Sequence, residues 1–319
     1  MKFNIERYIL NSKPFLSLIE WSKKISFPGF DRVPLYYVVS YFLRAMQKEA
    51  ITMRASSLAF NYMMAIFPAI IFLFTLIPYI PIENFKDEIF KLLQEVLPYN
   101  VFEATKSTIE DILKQQRGGL LSLGFALSVY YSTNGIIAMM TAFNNSYSST
   151  ETRSEWQKRL IALGLIAILS TMVFVAVSRI IFGGTAINML VEYGWLKGPF
   201  TVILIQIGVW LIIVLLFFFA YSFLYYYGPS KRMKYRFISA GSTLATLLTI
   251  ISSIGFAYFV NNFGEYNKLY GSIGTLIVVM LWLYITSLVL LIGFELNASI
   301  SRARDSYENI DLKILDEPA

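Results

Sequence analysis

Ionisable side chains inside apolar runs are the residues of this sequence best placed to do chemistry. Arg179 and Glu295 lie within long apolar segments, and Arg54 stands at the mouth of another. A charge at mid-bilayer costs about 2.5–3.5 kcal/mol on insertion scales, so it needs a partner, an aqueous path or a helix end. Arg179 lies about 19 residues, or about 28 Å, from the start of its segment, which predicts snorkelling to water.

Glu295 and Arg54 fall at a similar depth, because Glu295 precedes the end of its segment at Ile300 by five residues. We expect the two to pair across one end of a helical bundle, and depth excludes Arg179 as a direct partner. Two interpretations stay open. The pair is either a clamp between helices, which we favour, or part of a substrate-binding or proton-linked site.

Four amide side chains also lie inside apolar segments, and each should prefer the bundle interior or a cavity. One of them, Asn61, precedes Pro68 by two turns, and a proline frees a backbone carbonyl one turn upstream. Transporters use such broken helices to build sites, whereas a simple kink is the alternative that we favour. The amides are Asn61, Asn134, Gln206 and Asn297.

A turn rich in glycine and asparagine joins the last two apolar segments. It is either a tight return into the membrane or a mobile gate. The candidate gate residues are Asn261, Asn262, Gly264, Tyr266, Asn267, Gly271 and Gly274.

Small residues recur at every fourth position of the segment before this turn. Such a stripe predicts close approach of another helix, within the protomer or in a homo-oligomer. Its members are Gly241, Ala245, Thr249, Ser253 and Ala257.

A short connector after the fourth apolar segment carries four cations and no acid, beside three consecutive tyrosines. These cations could hold anionic lipid head groups at about 1 kcal/mol each, or act only as topology signals, which we favour. This candidate head-group rim consists of Lys231, Arg232, Lys234 and Arg236.

The composition removes much of the usual catalytic chemistry. The chain has no His and no Cys, hence neither the commonest general base and metal ligand nor a thiolate. It has no P-loop and no GxGxxG motif, and the connectors predicted to face the cytoplasm show no paired carboxylates. We therefore expect no catalytic residues, no metal, no cofactor, no nucleic-acid partner and no enzymatic activity, ribonuclease included.

These residues must be positioned by membrane helices. The chain is 56% hydrophobic and 15% charged, against about 25% charged for a soluble domain. A spanning helix needs about 20 mainly apolar residues. Six segments qualify and predict an all-α polytopic bundle: 57–80, 120–144, 160–182, 200–227, 237–260 and 272–300.

The distribution of Lys and Arg gives the orientation. With both termini inside, 19 of the 27 cations fall on cytoplasmic segments and seven on outer loops. The positive-inside rule therefore predicts N-in and C-in in a bacterial cytoplasmic membrane.

We divide the chain into three parts. Residues 1–56 should form amphipathic helices, which either lie on the inner leaflet or cap the bundle from below. Residues 57–302 form the membrane domain, whose outer loop 81–119 is too long to lack structure and predicts a helical hairpin. Residues 303–319 are a cytoplasmic tail that we expect to fray.

Three stretches resemble the YihY/virulence factor BrkB family. They are Tyr258–Gly274, Leu281–Tyr284 followed by Gly293–Ala298, and Arg54–Tyr62 followed by Phe67 and Pro68. The resemblance covers about residues 35–304 and implies an inner-membrane protein with six spans. It implies no secure activity, because members have been labelled serum-resistance factors and ribonucleases, and others look like candidates for lipid or envelope-precursor transport.

We expect a transporter or flippase for a lipid or amphiphilic envelope component. The alternative is a structural or assembly factor of the envelope, with membrane lipids, envelope proteins or a second copy of the chain as partners. A wide polar cavity favours the first and a filled interior favours the second.

Overall fold

Six long apolar helices dominate the fold, and each is able to span a bilayer. A computed structural model of the chain describes residues 13–47, 50–80, 115–147, 149–192, 199–231, 237–261 and 272–316, with isolated positions between 90 and 111. Within these ranges, two shorter α-helices, α1 (Lys13–Ser22) and α2 (Leu35–Met46), precede the six long ones. The long helices are α3 (Ala50–Leu76), α4 (Gly118–Tyr147), α5 (Glu155–Glu192), α6 (Pro199–Tyr227), α7 (Ala240–Asn261) and α8 (Ser272–Asp316).

The six predicted spans are confirmed as α3 to α8. Apolar sequence gives helices here because a backbone without water must satisfy its own hydrogen bonds. The span in α4 is the least apolar of the six. The first span begins at Ile51 rather than 57, which places Arg54 inside it.

The spanning helices pack as a ring in chain order. Each of α3 to α8 contacts the next, α8 closes the ring against α3, and α8 also touches α4. Because successive spans run in opposite directions, α3, α5 and α7 begin at the same end at which α4 and α6 finish. We call this end the charged end, because Arg54, Glu295 and Arg302 meet there.

Most of the buried core lies in the half of the bundle next to the charged end. Its members include Leu58 of α3, Met139 and Phe143 of α4, Tyr225 of α6 and Phe294 of α8. The rings of Phe143 and Phe294 stack with centroids 4.0 Å apart, and Tyr225 packs edge-on against both. These aromatic contacts fill the centre of the charged half.

Helix α2 packs against the charged end of α8. Val33 and Val38 are buried with Ile300 and Ala303, and Tyr41 hydrogen-bonds Ser306 between oxygens 2.8 Å apart. This packing is the contact that the capping interpretation of residues 1–56 predicted. The location of α1 and α2 relative to a membrane stays a prediction.

The expectation of a frayed tail after Arg302 is wrong for the residues up to Asp316. Helix α8 continues to Asp316, because this stretch has no Gly or Pro to stop it and Ala303 is buried against α2. The predicted hairpin at 81–119 lies almost wholly outside the described residues.

Candidate functional site

Glu295 is the centre of an ion-pair cluster at the charged end. Its side chain is only 3% exposed, and Oε2 lies 3.8 Å from Nη2 of Arg54. Arg302, two turns later on α8, contacts the other carboxylate oxygen. The predicted pairing of Arg54 with Glu295 is therefore confirmed, although Arg302 was not foreseen as a second partner.

Arg54 connects three helices through one guanidinium. Nη1 donates to the carbonyl of Ala142, 3.0 Å away, and to the hydroxyl of Ser146, both on α4, while Nη2 faces Glu295 on α8. The planar fork of arginine suits such branching contacts, which a lysine could not reproduce. With Arg302 the cluster holds two cations and one anion in a largely buried site.

Asn297 joins α8 to the start of α7. Its Oδ1 accepts the backbone N–H of Gly241 at 2.8 Å, and its Nδ2 donates to Oγ of Ser239 at 2.9 Å. N–H groups in the first turn of a helix lack an intrahelical acceptor, so this buried amide caps α7 from a neighbouring helix. The geometry indicates packing rather than ligand binding for Asn297.

Two glycines bring the backbones of α7 and α8 into contact beside this cap. A Cβ on Gly241 would lie 2.2 Å from the carbonyl oxygen of Gly293, and one on Gly293 would lie 2.7 Å from Cβ of Ala245. The small-residue stripe therefore serves a helix contact within the protomer, one of the two alternatives that the sequence left open.

A second polar cluster ties the connector between α4 and α5 to the end of α6. Arg153 holds Glu151 through both carboxylate oxygens, at 2.8 and 2.9 Å, and donates to the carbonyl of Gly228 at 2.9 Å. Asn144 donates to Glu151 at 2.6 Å and accepts the N–H of Ser230 at 2.9 Å. The arginine thereby satisfies a carbonyl just beyond the last turn of α6.

The hydrogen bonds from Arg153 hold the pKa of Glu151 at about 2, against the opposing effect of partial burial. Glu151 is therefore ionised at neutral pH, and its charge is matched by Arg153. Sequence reasoning missed this cluster. The available signal was Asn144 at the end of a span, followed by the Glu-Thr-Arg connector seven residues later.

Three other predicted residues, Asn61, Pro68 and Asn134, lie on α3 and α4. Asn61 donates to the carbonyl of Ser57 at 2.8 Å, one turn back on α3. Pro68 is buried inside α3, which stays helical on both sides of it. Asn134 is half-buried on α4. In the described part of the chain these three are not joined to the charged cluster by any hydrogen bond that the structure shows.

Several candidates lie partly or wholly outside the described residues. This applies to the side chains of Arg179 and Gln206, to Arg232, Lys234 and Arg236 of the rim, and to Asn262, Gly264, Tyr266, Asn267 and Gly271 of the gate. Of the remainder, Asn261 is exposed at the end of α7 and Gly274 is buried near the start of α8. Lys231 is exposed, with Nζ 5.6 Å from the ring centroid of Tyr147.

Packing weakens along α7 away from the charged end. The stripe residues Gly241, Ala245 and Thr249 are buried, whereas Ser253 is half-buried and Ala257 is exposed, and no later residue of α7 whose side chain the structure describes is buried on any face. The large rings of Phe256 and Trp282, 4.8 Å apart, bridge α7 and α8 at this level. The two backbones therefore meet at the charged end, whereas farther along α7 the contact is made by aromatic side chains.

The same contrast holds for the neighbouring helices. Among the residues whose side chains the structure describes, none is buried in α5 after Leu165, in α6 before Tyr221 or in α7 after Thr249. In the part of α8 whose side chains are described, from Gly274 onward, Gly274 alone is buried before Ser287. By contrast, α3 and α4 stay packed at the far end, where Gly124 lies against the backbone of Phe72. Among the side chains that the structure describes, those of α5 to α8 are therefore buried mainly near the charged end.

The sequence profile described as Virulence factor BrkB matches residues 42–313 of the chain. The protein belongs to the BrkB family. The family resemblance predicted from the sequence is thereby confirmed, and with six apolar helices the chain is a multi-pass membrane protein.

Curated relatives of this BrkB-family chain carry uncertain names. A Bacillus subtilis protein called a putative ribonuclease-like protein, YfkH, is 28% identical over 251 residues, which are 79% of this chain and 90% of that one. A UPF0761 membrane protein of Alteromonas mediterranea is 24% identical over 276 residues, covering 82% and 87% of the two chains. One from Aliivibrio salmonicida is 23% identical over 276 residues, covering 83% and 84%.

No solved structure matches the chain. In the described part of this BrkB-family protein, no three His, Cys, Asp or Glu side chains are grouped as a metal site would require.

Proposed function

We propose that this BrkB-family protein transports or flips a lipid or amphiphilic envelope component across the bacterial inner membrane. The charged end faces the cytoplasm in this proposal, as the excess of Lys and Arg on that side indicates. Both termini are then cytoplasmic. No chemistry on the substrate is proposed, because the sequence has no His and no Cys.

The observation that supports transport is that the described side chains of α5 to α8 are buried mainly in one half of the ring. A transporter that works by alternating access is closed on one side of its site and open on the other. Among the side chains that the structure describes, those of α5, α6, α7 and α8 are buried near the charged end and almost all half-buried or exposed beyond it. This is the arrangement expected of a protein closed toward the cytoplasm and able to open toward the outer leaflet.

The charged cluster is the closed inner gate in this proposal. Arg54 and Arg302 hold Glu295 between them, so α3, α4 and α8 are joined at the cytoplasmic side. Opening would separate these charges, and they would then need water or an anionic substrate as new partners. The gate thus gives the Arg54–Glu295 pair both a structural and a functional role.

Flipping is tested with the full-length chain in liposomes that contain fluorescent phosphatidylglycerol or phosphatidylethanolamine. We expect a reductant added outside to bleach the probe in both leaflets, whereas protein-free liposomes stop at about half. Bleaching that stops at half with both probes, in proteoliposomes with verified insertion, would rule out flipping of common phospholipids.

The unequal packing has its own test, since the chain contains no Cys. Ser253→Cys and Ala245→Cys place single thiols on α7, one in each half of the helix. We expect a membrane-impermeant maleimide to label Ser253→Cys from the side opposite the charged end and to leave Ala245→Cys unlabelled. Equal protection of both would contradict an outward-open path.

The filled charged half favours a second candidate, an assembly factor without a transported substrate. The stacked rings of Phe143 and Phe294, together with Tyr225, leave this half closely packed. A factor of this kind predicts no flipping in liposomes, no labelling of Ser253→Cys, and stable co-purification of an envelope protein from native membranes.

A further inference from the structure

A groove opens at the charged end between the α1–α2 linker and the start of α7. Its volume is about 580 Å³, within the usual range of ligand sites. The lining is mainly apolar and includes Pro28 and Gly29 from the linker, Phe237 and Ile238 before α7, and Thr243 within it. Ile238 is 64% exposed, so the groove has an apolar rim.

A smaller cavity of about 360 Å³ continues from this groove. The two share Pro28 and Gly29, and the smaller one adds Ser26, Asp31 and Arg32. Asp31 is paired with Nη1 of Arg304 at 3.0 Å, so its charge is matched. Arg32 is exposed and lines the smaller cavity. An apolar slot thus leads to a cavity that displays a cation.

The linker is built to hold this shape. Gly29, Asp31 and Arg32 have φ values of 91°, 50° and 64°, and the left-handed conformation is unfavourable for the latter two. The loop is held nonetheless, because Leu35 N–H donates to the carbonyl of Ile25 at 2.8 Å and Val33 is buried. The fold therefore imposes the conformation in which Arg32 faces the solvent.

The groove lies at the start of the span of α7. The span of α7 begins at Ala240, which lines the groove, and in sequence Arg236 ends a run of four cations directly before Phe237. An apolar surface beside cations is complementary to a phospholipid with an anionic head group, because such a lipid carries acyl chains beside a negative charge. A free phosphate would need only the cation, and an acidic protein would not need the apolar slot.

We propose that this groove binds one anionic phospholipid of the adjacent leaflet. An acyl chain lies against Phe237, Ile238 and Thr243, and the phosphate lies near Arg32. The site is separate from the transported substrate, and it anchors the α1–α2 linker to the membrane beside the closed end of the bundle.

Native mass spectrometry of the full-length chain in detergent, with equal phosphatidylglycerol and phosphatidylcholine, tests the charge. We expect one phosphatidylglycerol to be retained preferentially. Arg32→Asn should weaken that preference about fivefold, the factor for one cation worth about 1 kcal/mol. Asn tolerates the left-handed conformation, so the loop should persist. Arg32→Lys should keep the preference. Lys24→Asn is the control and should also keep it, because Lys24 is an exposed cation of the same linker but lines neither cavity.

A second pair of variants tests the groove itself. Thr243→Trp fills the apolar slot and should reduce retention of both lipids, whereas Ile254→Trp on the exposed face of the same helix should not. Wild-type preference in Arg32→Asn, undiminished retention in Thr243→Trp, or no preferred lipid in the wild type would each overturn the proposal. Lipid flipping is not part of the readout, so failure here leaves the transport proposal untouched.

Discussion

Replacing Glu295 by Gln removes the only carboxylate that the structure places between Arg54 and Arg302. Breaking a buried ion pair by deleting one partner costs about 3–5 kcal/mol, because the other charge stays buried. We expect the lower end, about 3 kcal/mol. Arg54 keeps its hydrogen bonds to α4, and the side chain of Arg302 is 30% exposed to solvent.

Two further variants show whether burial sets this magnitude. Arg302→Gln leaves Glu295 with Arg54 at 3.8 Å and removes a partly exposed cation, so we expect about 1 kcal/mol. Glu155→Gln breaks the pair of Lys158 with a carboxylate that is 77% exposed, and should cost no more than about 0.5 kcal/mol. The predicted order of destabilisation is Glu295, then Arg302, then Glu155.

The assay is reversible unfolding in mixed SDS micelles, followed by circular dichroism, with the free energy of unfolding compared across the three variants. The cluster is not a buried clamp if the free energy of unfolding of Glu295→Gln equals that of Arg302→Gln or lies within about 1 kcal/mol of the wild-type value. The flipping assay on the same protein then separates the two roles. A folded Glu295→Gln with lost or unregulated flipping supports a gate, and one with unchanged flipping supports a clamp alone.

Other substitutions test the helix contacts and the second polar cluster. Gly241→Ala should destabilise the fold strongly and reduce the folded yield in detergent, because its Cβ would lie 2.2 Å from a backbone oxygen. Gly255→Ala is the control, because a Cβ there meets nothing within 4 Å, and it should be neutral or slightly stabilising. Asn297→Ala leaves the buried N–H of Gly241 unpaired and should lower the free energy of unfolding in SDS by about 1–3 kcal/mol. Asn61→Ala should lower it less, because the Asn61 amide hydrogen-bonds a carbonyl of its own helix. Because the pKa of Glu151 is lowered to about 2, its stabilising effect should be full above about pH 4.5 and fade as the pH falls toward 2. The difference in unfolding free energy between wild type and Glu151→Gln, measured from pH 6 to 2, should shrink over that window and stay constant above it.

Long-range packing explains why the polar clusters were only partly predictable. Arg54 and Glu295 could be matched from sequence, because Glu295 lies within one apolar segment and Arg54 at the mouth of another, and residue counting fixes their depth. Arg302 lies two turns beyond Glu295, and its contact depends on α8 continuing as a helix past Ile300. That continuation depends in part on the burial of Ala303 against α2, a tertiary contact that composition does not reveal.

The cluster around Glu151 shows the same limit for connectors. Asn144, Arg153 and Ser230 come from three places in the chain and meet only because α4 and α6 end at the same side of the ring. A hydrophobicity pattern marks where helices lie but carries no information on which connector carbonyls remain to be capped.

The sequence by itself determined that the chain crosses a membrane as six helices, because only apolar runs of this length remove enough polar backbone from lipid. It also determined that small residues on α7 receive a neighbouring helix. The tertiary structure alone decided that this contact is close near Gly241 and is made by large aromatic rings at the level of Phe256, and that no described side chain of α7 is buried after Thr249. The reason is physical: span length and helix propensity are local properties, whereas the divergence of two helices depends on every side chain packed between them.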